Sequence, residues 1–178
     1  MIKYPEIQNK VQSEIFENVG HSRPVSMEDK PNLPYTEAVI HEILRLTCIA
    51  PLGLPHSASM DVKVGDFLIP KNTMIFPNLH RVTRNPDVFP DPDSFKPERF
   101  VENGKFVKNE QNIVFSIGKR DCLGKSLALI EFFLFFANLM QNYKFESVEK
   151  VENLDLEPHV QFTQSPKPFE VIIKKNLK

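Results

Sequence analysis

Chemistry in this sequence concentrates in one decapeptide, Phe115-Ser116-Ile117-Gly118-Lys119-Arg120-Asp121-Cys122-Leu123-Gly124. It sets a cysteine and an arginine between two glycines, immediately ahead of a strongly apolar run. A cysteine at the start of a helix gains thiolate character from unpaired backbone N–H groups and the helix dipole. The same N–H groups can donate to the sulfur and tune a metal bound to it. Gly118 and Gly124 remove side chains where backbone must pass close to a flat, bulky ligand. Arg120 offers a planar fork of donors suited to a carboxylate, and Phe115 an apolar wall that keeps water from the sulfur. The competing reading of these residues is a buried structural cysteine beside a tight turn, since free cysteine is among the most buried residue types.

A second constellation is Glu42 and Arg45, at the i,i+3 spacing that lets helical side chains meet. Alone it is weak, because exposed pairs of this kind contribute little. His41 ahead of Glu42 raises the zinc-protease pattern H-E-x-x-H, but Arg45 holds the fifth position and the second ligand is absent. Cys48, the other of two cysteines, has no C-x-x-C relation to Cys122, which argues against a disulfide framework or a cysteine-rich zinc site. Cys48 reads as a helix core residue. His21, His41, His80 and His159 lack matching partners and read as structural or solvated.

The elements that must position these groups follow from periodicity and punctuation. Ile7, Val11, Ile15 and Phe16 recur at helical spacing between Pro5, a first-turn proline, and Gly20, a stop, which predicts a helix over Pro5 to Asn18. His21 to Pro34 reads as loop with one short turn at Ser26 to Lys30. Ala38, Val39, Ile43, Leu44 and Leu46 predict a second helix from about Tyr35 to Thr47, limited by Pro51. Val62-Lys63-Val64, Gly65-Asp66 and Phe67-Leu68-Ile69 read as a hairpin, with a further strand at Thr73 to Phe76. Pro77 to Asn112 reads as a long irregular stretch that packs through Phe89, Phe95, Phe100 and Phe106; loops this long are usually functional. An apolar helix follows over about Lys125 to Asn142, then short strands in the tail, including Phe169, Val171 and Ile173. The fold class is mainly α with small antiparallel β-sheets, without repeats or linkers.

At 178 residues the chain can bury one core, and its 41% hydrophobic and 25% charged residues are those of an ordinary globular protein. A net charge of −1 gives no support to nucleic-acid binding. The 15 phenylalanines crowd the second half, so that half is expected to carry most of the core. The start lacks the order of a secretory signal. The run Leu127 to Met140 falls short of the ~20 apolar residues a membrane helix needs, so it reads as a buried core helix.

The order F-x-x-G-x-R-x-C-x-G is complete from Phe115 to Gly124, and it resembles the haem-binding signature of the cytochrome P-450 family. Pro97-Glu98-Arg99-Phe100 resembles that family's second arginine motif, and Glu42 with Arg45 its helical E-x-x-R pair. The resemblance implies that Cys122 ligates the iron of haem b (iron protoporphyrin IX), and that Arg120 and His56 bind its propionates. It implies that Phe115, Gly118, Gly124 and Ala128 flank the haem, and that Glu42, Arg45 and Arg99 form a buried charge cluster. Leu52, Leu54 and Phe162 fall in two stretches that line the substrate pocket of relatives.

The same resemblance implies a monooxygenase that inserts one oxygen atom of O2 into a small hydrophobic substrate. Its electrons would come from an NADPH-dependent flavoprotein reductase, docked over Lys119 and Lys125. Full-length relatives are anchored in the endoplasmic reticulum membrane; this chain shows no anchor. Residues 1–178 correspond to an incomplete domain, the C-terminal haem-ligating portion, without the family's N-terminal anchor and proton-delivering central helix. Exposed apolar surface and weak haem retention are therefore expected. Two alternatives stand beside this reading: a non-catalytic product binding haem weakly or not at all, and a haem-thiolate isomerase or dehydratase.

Overall fold

Helix α1, Pro5–Asn18, starts on a proline and lays one apolar stripe, Ile7, Val11 and Ile15, into the protein. In the computed structural model, which describes residues 1–176, this stripe packs against two further helices. They are α2, Pro34–Thr47, and α4, Lys125–Asn142. The main core joins Val11 and Ile15 to Leu33, Val39 and Leu44, and to Phe133, Ala137 and Met140 of α4. A smaller cluster, Ala38, Phe89 and Phe100, holds the irregular stretch on the far side of α2.

Polar side chains lock the three helices together. Helix α2 has no side-chain cap of its own. Glu14 of α1 instead accepts from the N–H groups of Tyr35 and Thr36 at 2.8 and 2.7 Å, satisfying donors that every helix start leaves unpaired. Gln8 and Gln12 lie buried on the inward side of α1. Gln12 donates to the carbonyls of Met140 and Tyr143 at 3.0 and 2.9 Å. Gln8 exchanges two hydrogen bonds with the backbone of Phe145, 2.9 and 2.7 Å, as a neighbouring strand would. From α4, Gln141 donates to Gly20 and Arg23 carbonyls at 2.8 and 2.9 Å.

The sheets are all two-stranded and antiparallel. Strand β1, His56–Ser57, pairs with β4, Met74–Ile75, around the hairpin β2, Val62–Val64, and β3, Phe67–Ile69. The stretch read as irregular holds more order than expected. It contains helix α3, Leu79–Thr83, a 3-10 turn at Pro97–Phe100, and a hairpin of β5, Val101–Glu102, and β6, Lys105–Phe106. These elements are too short for periodicity to reveal. In the tail, β7, Tyr143–Ser147, pairs with β10, Val171–Lys175, and β8, His159–Val160, with β9, Gln164–Ser165. The expected loop turn is the 3-10 segment Met27–Asn32. The last two residues of the expected 1–178 domain lie outside the described ones. The fold is mainly α with small antiparallel sheets.

Three expectations need correction. The core lies mostly in the first half, in α1, α2 and the segments around them, and not in the phenylalanine-rich second half. Helix α4 buries only a narrow stripe; Phe135 is 69% exposed, and Leu127, Ile130 and Leu139 are exposed as well. An element apolar all round can bury only the face that meets a partner. Cys48 is buried but lies just past α2, at φ 38°, as its left-handed C-cap. The expected exposed apolar surface is present. The accessible surface is 11770 Å², against about 8,800 Å² for a compact monomer of this mass. No helix among the described residues is long and apolar enough to cross a membrane.

Replacing Gln8 by alanine strands both backbone groups of Phe145 against the core. It is expected to cost about 2–3 kcal/mol of unfolding free energy, read from urea denaturation.

Candidate functional site

Arg45 is the most completely satisfied side chain in the protein's interior. It is 0% exposed, as is Glu42. Its Nε and one Nη2 hydrogen go to the two oxygens of Glu42, at 2.7 and 2.9 Å, a bidentate pair one helical turn apart. Nη1 donates to the carbonyls of Thr83 and Pro92, both at 2.8 Å, and Nη2 also to Ser94 at 3.3 Å. These five bonds match the five donors of a guanidinium. Phe89 lies under the cation, 5.2 Å from Cζ to ring centroid.

Glu42 is equally used. Its Oε1 accepts from Arg99 Nε at 3.2 Å and from the Lys96 amide at 2.9 Å, besides Arg45. Arg99 continues outward to the carbonyls of Pro90 and Asp91. Glu42, Arg45 and Arg99 thus form one buried network that ties α2 to residues 83–99. Its chemistry is structural: all five donors of Arg45 end on a carboxylate or a main-chain carbonyl, and the bonds of Arg99 do the same.

The cysteine loop is built differently. After Phe115 the chain takes two left-handed steps, Ser116 at φ 64° and Gly118 at φ 74°, and passes through a 3-10 turn, Gly118–Arg120. It closes with the Cys122 N–H donating to the Phe115 carbonyl at 2.8 Å. Glycine suits the second step; a Cβ there would meet nothing within 4 Å. Cys122 precedes α4 by three residues and its thiol is exposed. Gly124 is the N-cap of α4, and a Cβ on it would come 4.0 Å from the Cys122 sulfur. Ala128, in the first turn, donates its N–H to the Gly124 carbonyl at 2.9 Å. Arg120 is exposed and Phe115 half-buried, packed on the main core. Leu123, Ile117 and Leu127 turn apolar side chains to solvent.

The remaining residues singled out in the sequence are spread more widely. His56 is half-buried in β1, opposite Ile75, and no hydrogen bond links it to Arg120 or Cys122 among the described residues. Leu52, Leu54 and Phe162 are all exposed, but their segments are neighbours: the Gln164 N–H donates to the Ile49 carbonyl at 2.7 Å. A groove of ≈ 280 Å³ lies elsewhere, between Lys30, Pro34, Glu37, Lys105 and Phe106. Among the described residues no cluster of three His, Cys, Asp or Glu could hold a metal ion.

Three features had no signal in the sequence. The carbonyl acceptors of the arginine network depend on where backbone passes, which no side chain spells out. Asn112 donates to the His41 carbonyl at 3.2 Å. His41 itself packs on Phe100 and Phe106, with ring centroids 5.8 and 4.7 Å away. Burial, aided by the charges of Lys30, Lys108 and Lys125, pushes its pKa down to about 4.

The helical core, the arginine network and the cysteine loop are consistent with the resemblance seen in the motifs, and sequence comparison shows the class of protein. The family model described as Cytochrome P-450 matches residues 1–173, and the chain belongs to that family. It is 46% identical over 178 residues to cytochrome P-450 2K6 of Danio rerio, covering 98% of this chain and 35% of that protein. It is 43% identical over 171 residues to cytochrome P-450 2A13 of Homo sapiens, covering 95% and 35%. Cytochrome P-450 2B19 of Mus musculus is also 43% identical, over 173 residues, 96% and 35%. The chain thus spans about a third of the length of the curated relatives it matches.

Arg45→Lys supplies three donors where five are used and cannot reproduce the fork. A loss of about 3–5 kcal/mol, or no cooperative unfolding transition, is expected in urea titrations. His41 gives a pH dependence. The unfolded chain protonates this histidine near pH 6.5, the folded chain only near 4. Stability therefore rises with pH between about 4 and 6.5 and is flat above. The measured slope over that window should be shallower in His41→Asn than in the wild type.

Proposed function

We propose that this chain is the haem-ligating portion of a haem-thiolate monooxygenase, an incomplete domain over residues 1–178, with Cys122 as the thiolate ligand to the iron. The observation that carries the reading is the cysteine loop. An exposed thiol stands on a turn fixed by its own backbone, amid uncovered apolar side chains. That donor set suits haem b. A thiolate is a soft ligand for iron, the side chains of Ile117, Leu123 and Leu127 suit a porphyrin face, and Arg120 with His56 suits its propionates. When bound, such a haem activates O2, with the thiolate pushing electron density onto the metal to favour O–O cleavage.

The chain's own residues have separate tasks in this reading. Phe115 anchors the turn by packing its ring on the main core, and its carbonyl, accepting from the Cys122 N–H, holds the sulfur's backbone. Gly118 and Gly124 keep the approach to the sulfur clear, and Ala128 presents a small side chain on the first turn of α4. Leu52, Leu54 and Phe162 line the path of a small hydrophobic substrate, into which one oxygen atom of O2 is inserted. An NADPH-dependent flavoprotein reductase supplies electrons by docking over Lys119 and Lys125, steered by opposite charge. The full-length enzyme sits at the endoplasmic reticulum membrane. A second reading, a product that binds haem weakly or not at all, is favoured by the open faces of α4.

A carbon monoxide difference spectrum of the reduced, haemin-reconstituted chain tests the proposal. A strongly red-shifted Soret band is expected, and is expected to vanish in Cys122→Ala with the far-ultraviolet circular dichroism unchanged. An undiminished band in that variant overturns the assignment of Cys122; no bound haem in either protein favours the second reading.

A further inference from the structure

The segment from Lys108 to Leu123 carries the cysteine, yet it is joined to the rest of the protein very sparsely. Its hydrogen bonds are internal: Asn112 N–H to Asn109, Ser116 N–H to Ile113, Asp121 N–H to Gly118 and Cys122 N–H to Phe115. The Cys122 carbonyl accepts from Lys125 in the turn that feeds α4. Apart from that turn, one hydrogen bond among the described residues leaves the segment for another element. It runs from Asn112 Nδ2 to the carbonyl of His41 in α2, 3.2 Å. The other attachment is apolar, through Val114 and Phe115 on the main core. Apolar contact is non-directional and lets a loop slide; a hydrogen bond sets a distance and an angle.

We infer that Asn112 is the positioning residue of the cysteine loop, transmitting the placement of α2 to the sulfur. The path is short. Asn112 fixes the chain against His41, the turn from Ile113 to Ser116 carries that register to Phe115, and the Phe115 carbonyl holds the Cys122 amide at 2.8 Å. The next residue of α2, Glu42, anchors the arginine network, so the asparagine meets the helix at its most constrained point. The state of the side chain supports the same conclusion. The Asn112 Oδ1 is buried and accepts nothing from protein among the described residues, a cost an apolar side chain would avoid. What distinguishes asparagine here is therefore its Nδ2 donor.

The inference rests on the proposed role of Cys122 only for its catalytic meaning, and the test separates the two. Amide hydrogen exchange is measured residue by residue on the full chain without haem, in the wild type, Asn112→Ala and Asn112→Leu. Both variants are expected to speed exchange of the Cys122 amide about tenfold, the scale of one lost hydrogen bond, and to lower the unfolding free energy read from urea titration by no more than that tenfold is worth, about 1.4 kcal/mol. Leucine restores the packing volume without the donor. If Asn112→Leu exchanges like the wild type while Asn112→Ala does not, packing is the cause and the inference falls; unchanged exchange in both variants also overturns it. In the haemin-reconstituted chain, both variants should move the carbon monoxide band from the thiolate position towards shorter wavelength with Cys122 still present. Absence of a thiolate band in the wild type itself sinks the haem reading and leaves the exchange result to decide on Asn112.

Discussion

Removing Arg45 from water is the constraint on which the rest of this structure turns. A guanidinium with no solvent contact must find five acceptors, and α2 supplies only the two oxygens of Glu42. The other acceptors are carbonyls of Thr83, Pro92 and Ser94, far along the chain. Those carbonyls are available because Thr83 is the last residue of α3, whose carbonyl no helical N–H takes, and Pro92 and Ser94 lie outside regular sheet or helix. A strand would have spent them on its neighbour. The short elements between Leu79 and Phe106 are thus ordered by a charge and its satisfied donors more than by their own hydrophobic patterning. Arg99 adds a second cation to one carboxylate, and its remaining donors reach the carbonyls of Pro90 and Asp91 at the edge of the network.

The apolar bookkeeping points in the same direction. Helices α1 and α2 bury one face each, and glutamines and a glutamate hold them in register. Helix α4 is apolar on several faces but meets protein along one stripe, Phe133, Ala137 and Met140. The hairpin β2–β3 exposes Phe67 at 78% and Leu68 at 68%. Surface of this extent on a chain of this mass marks interaction faces. It also explains why a buried polar network matters so much here: the apolar core alone is small, and directional bonds supply the definition that packing supplies in a fully buried domain.

Much of this was legible in the sequence, for reasons that differ by element. Pro5 marks the start of α1, the apolar spacing of each helix fixes its extent, and α2 begins one residue earlier than expected, on Pro34, which had read as the end of the loop. Hairpin β2–β3 and helix α4 follow from turn residues and continuous hydrophobicity. Glu42, Arg45 and Arg99 can be read as a set from their motifs, but the carbonyls that complete the set cannot, because main-chain acceptors carry no residue signature. Gln8, Gln12 and Gln141 were invisible for a related reason: a polar residue on an inward face looks like an interruption until its backbone partner is known. The phenylalanines misled in the opposite sense. Composition reports how much apolar surface a segment has, not whether a partner covers it, so the richest half of the sequence holds the smaller share of the core.

The two parts of the candidate site therefore differ in kind. The arginine network is over-determined: with the guanidinium's five donors spent, no single carbonyl decides its position. The cysteine loop is under-determined: among the described residues it is held by a single side-chain bond, a patch of apolar contact and its own internal turns. Such a loop keeps its shape, because left-handed steps at Ser116 and Gly118 and the closing Phe115–Cys122 bond are local. Its placement relative to the core is set at far fewer points. A ligand that binds sulfur at one end and covers Ile117, Leu123 and Leu127 at the same time would supply the missing constraints through contacts the chain does not make with itself. Shape encoded locally and placement completed by a ligand is a division of labour suited to a site whose occupant is larger than any side chain. The rigid network holds α2 at Glu42, one residue from the His41 carbonyl that receives the loop's hydrogen bond, so the steadiness of the helix is available to the loop through a single directional contact.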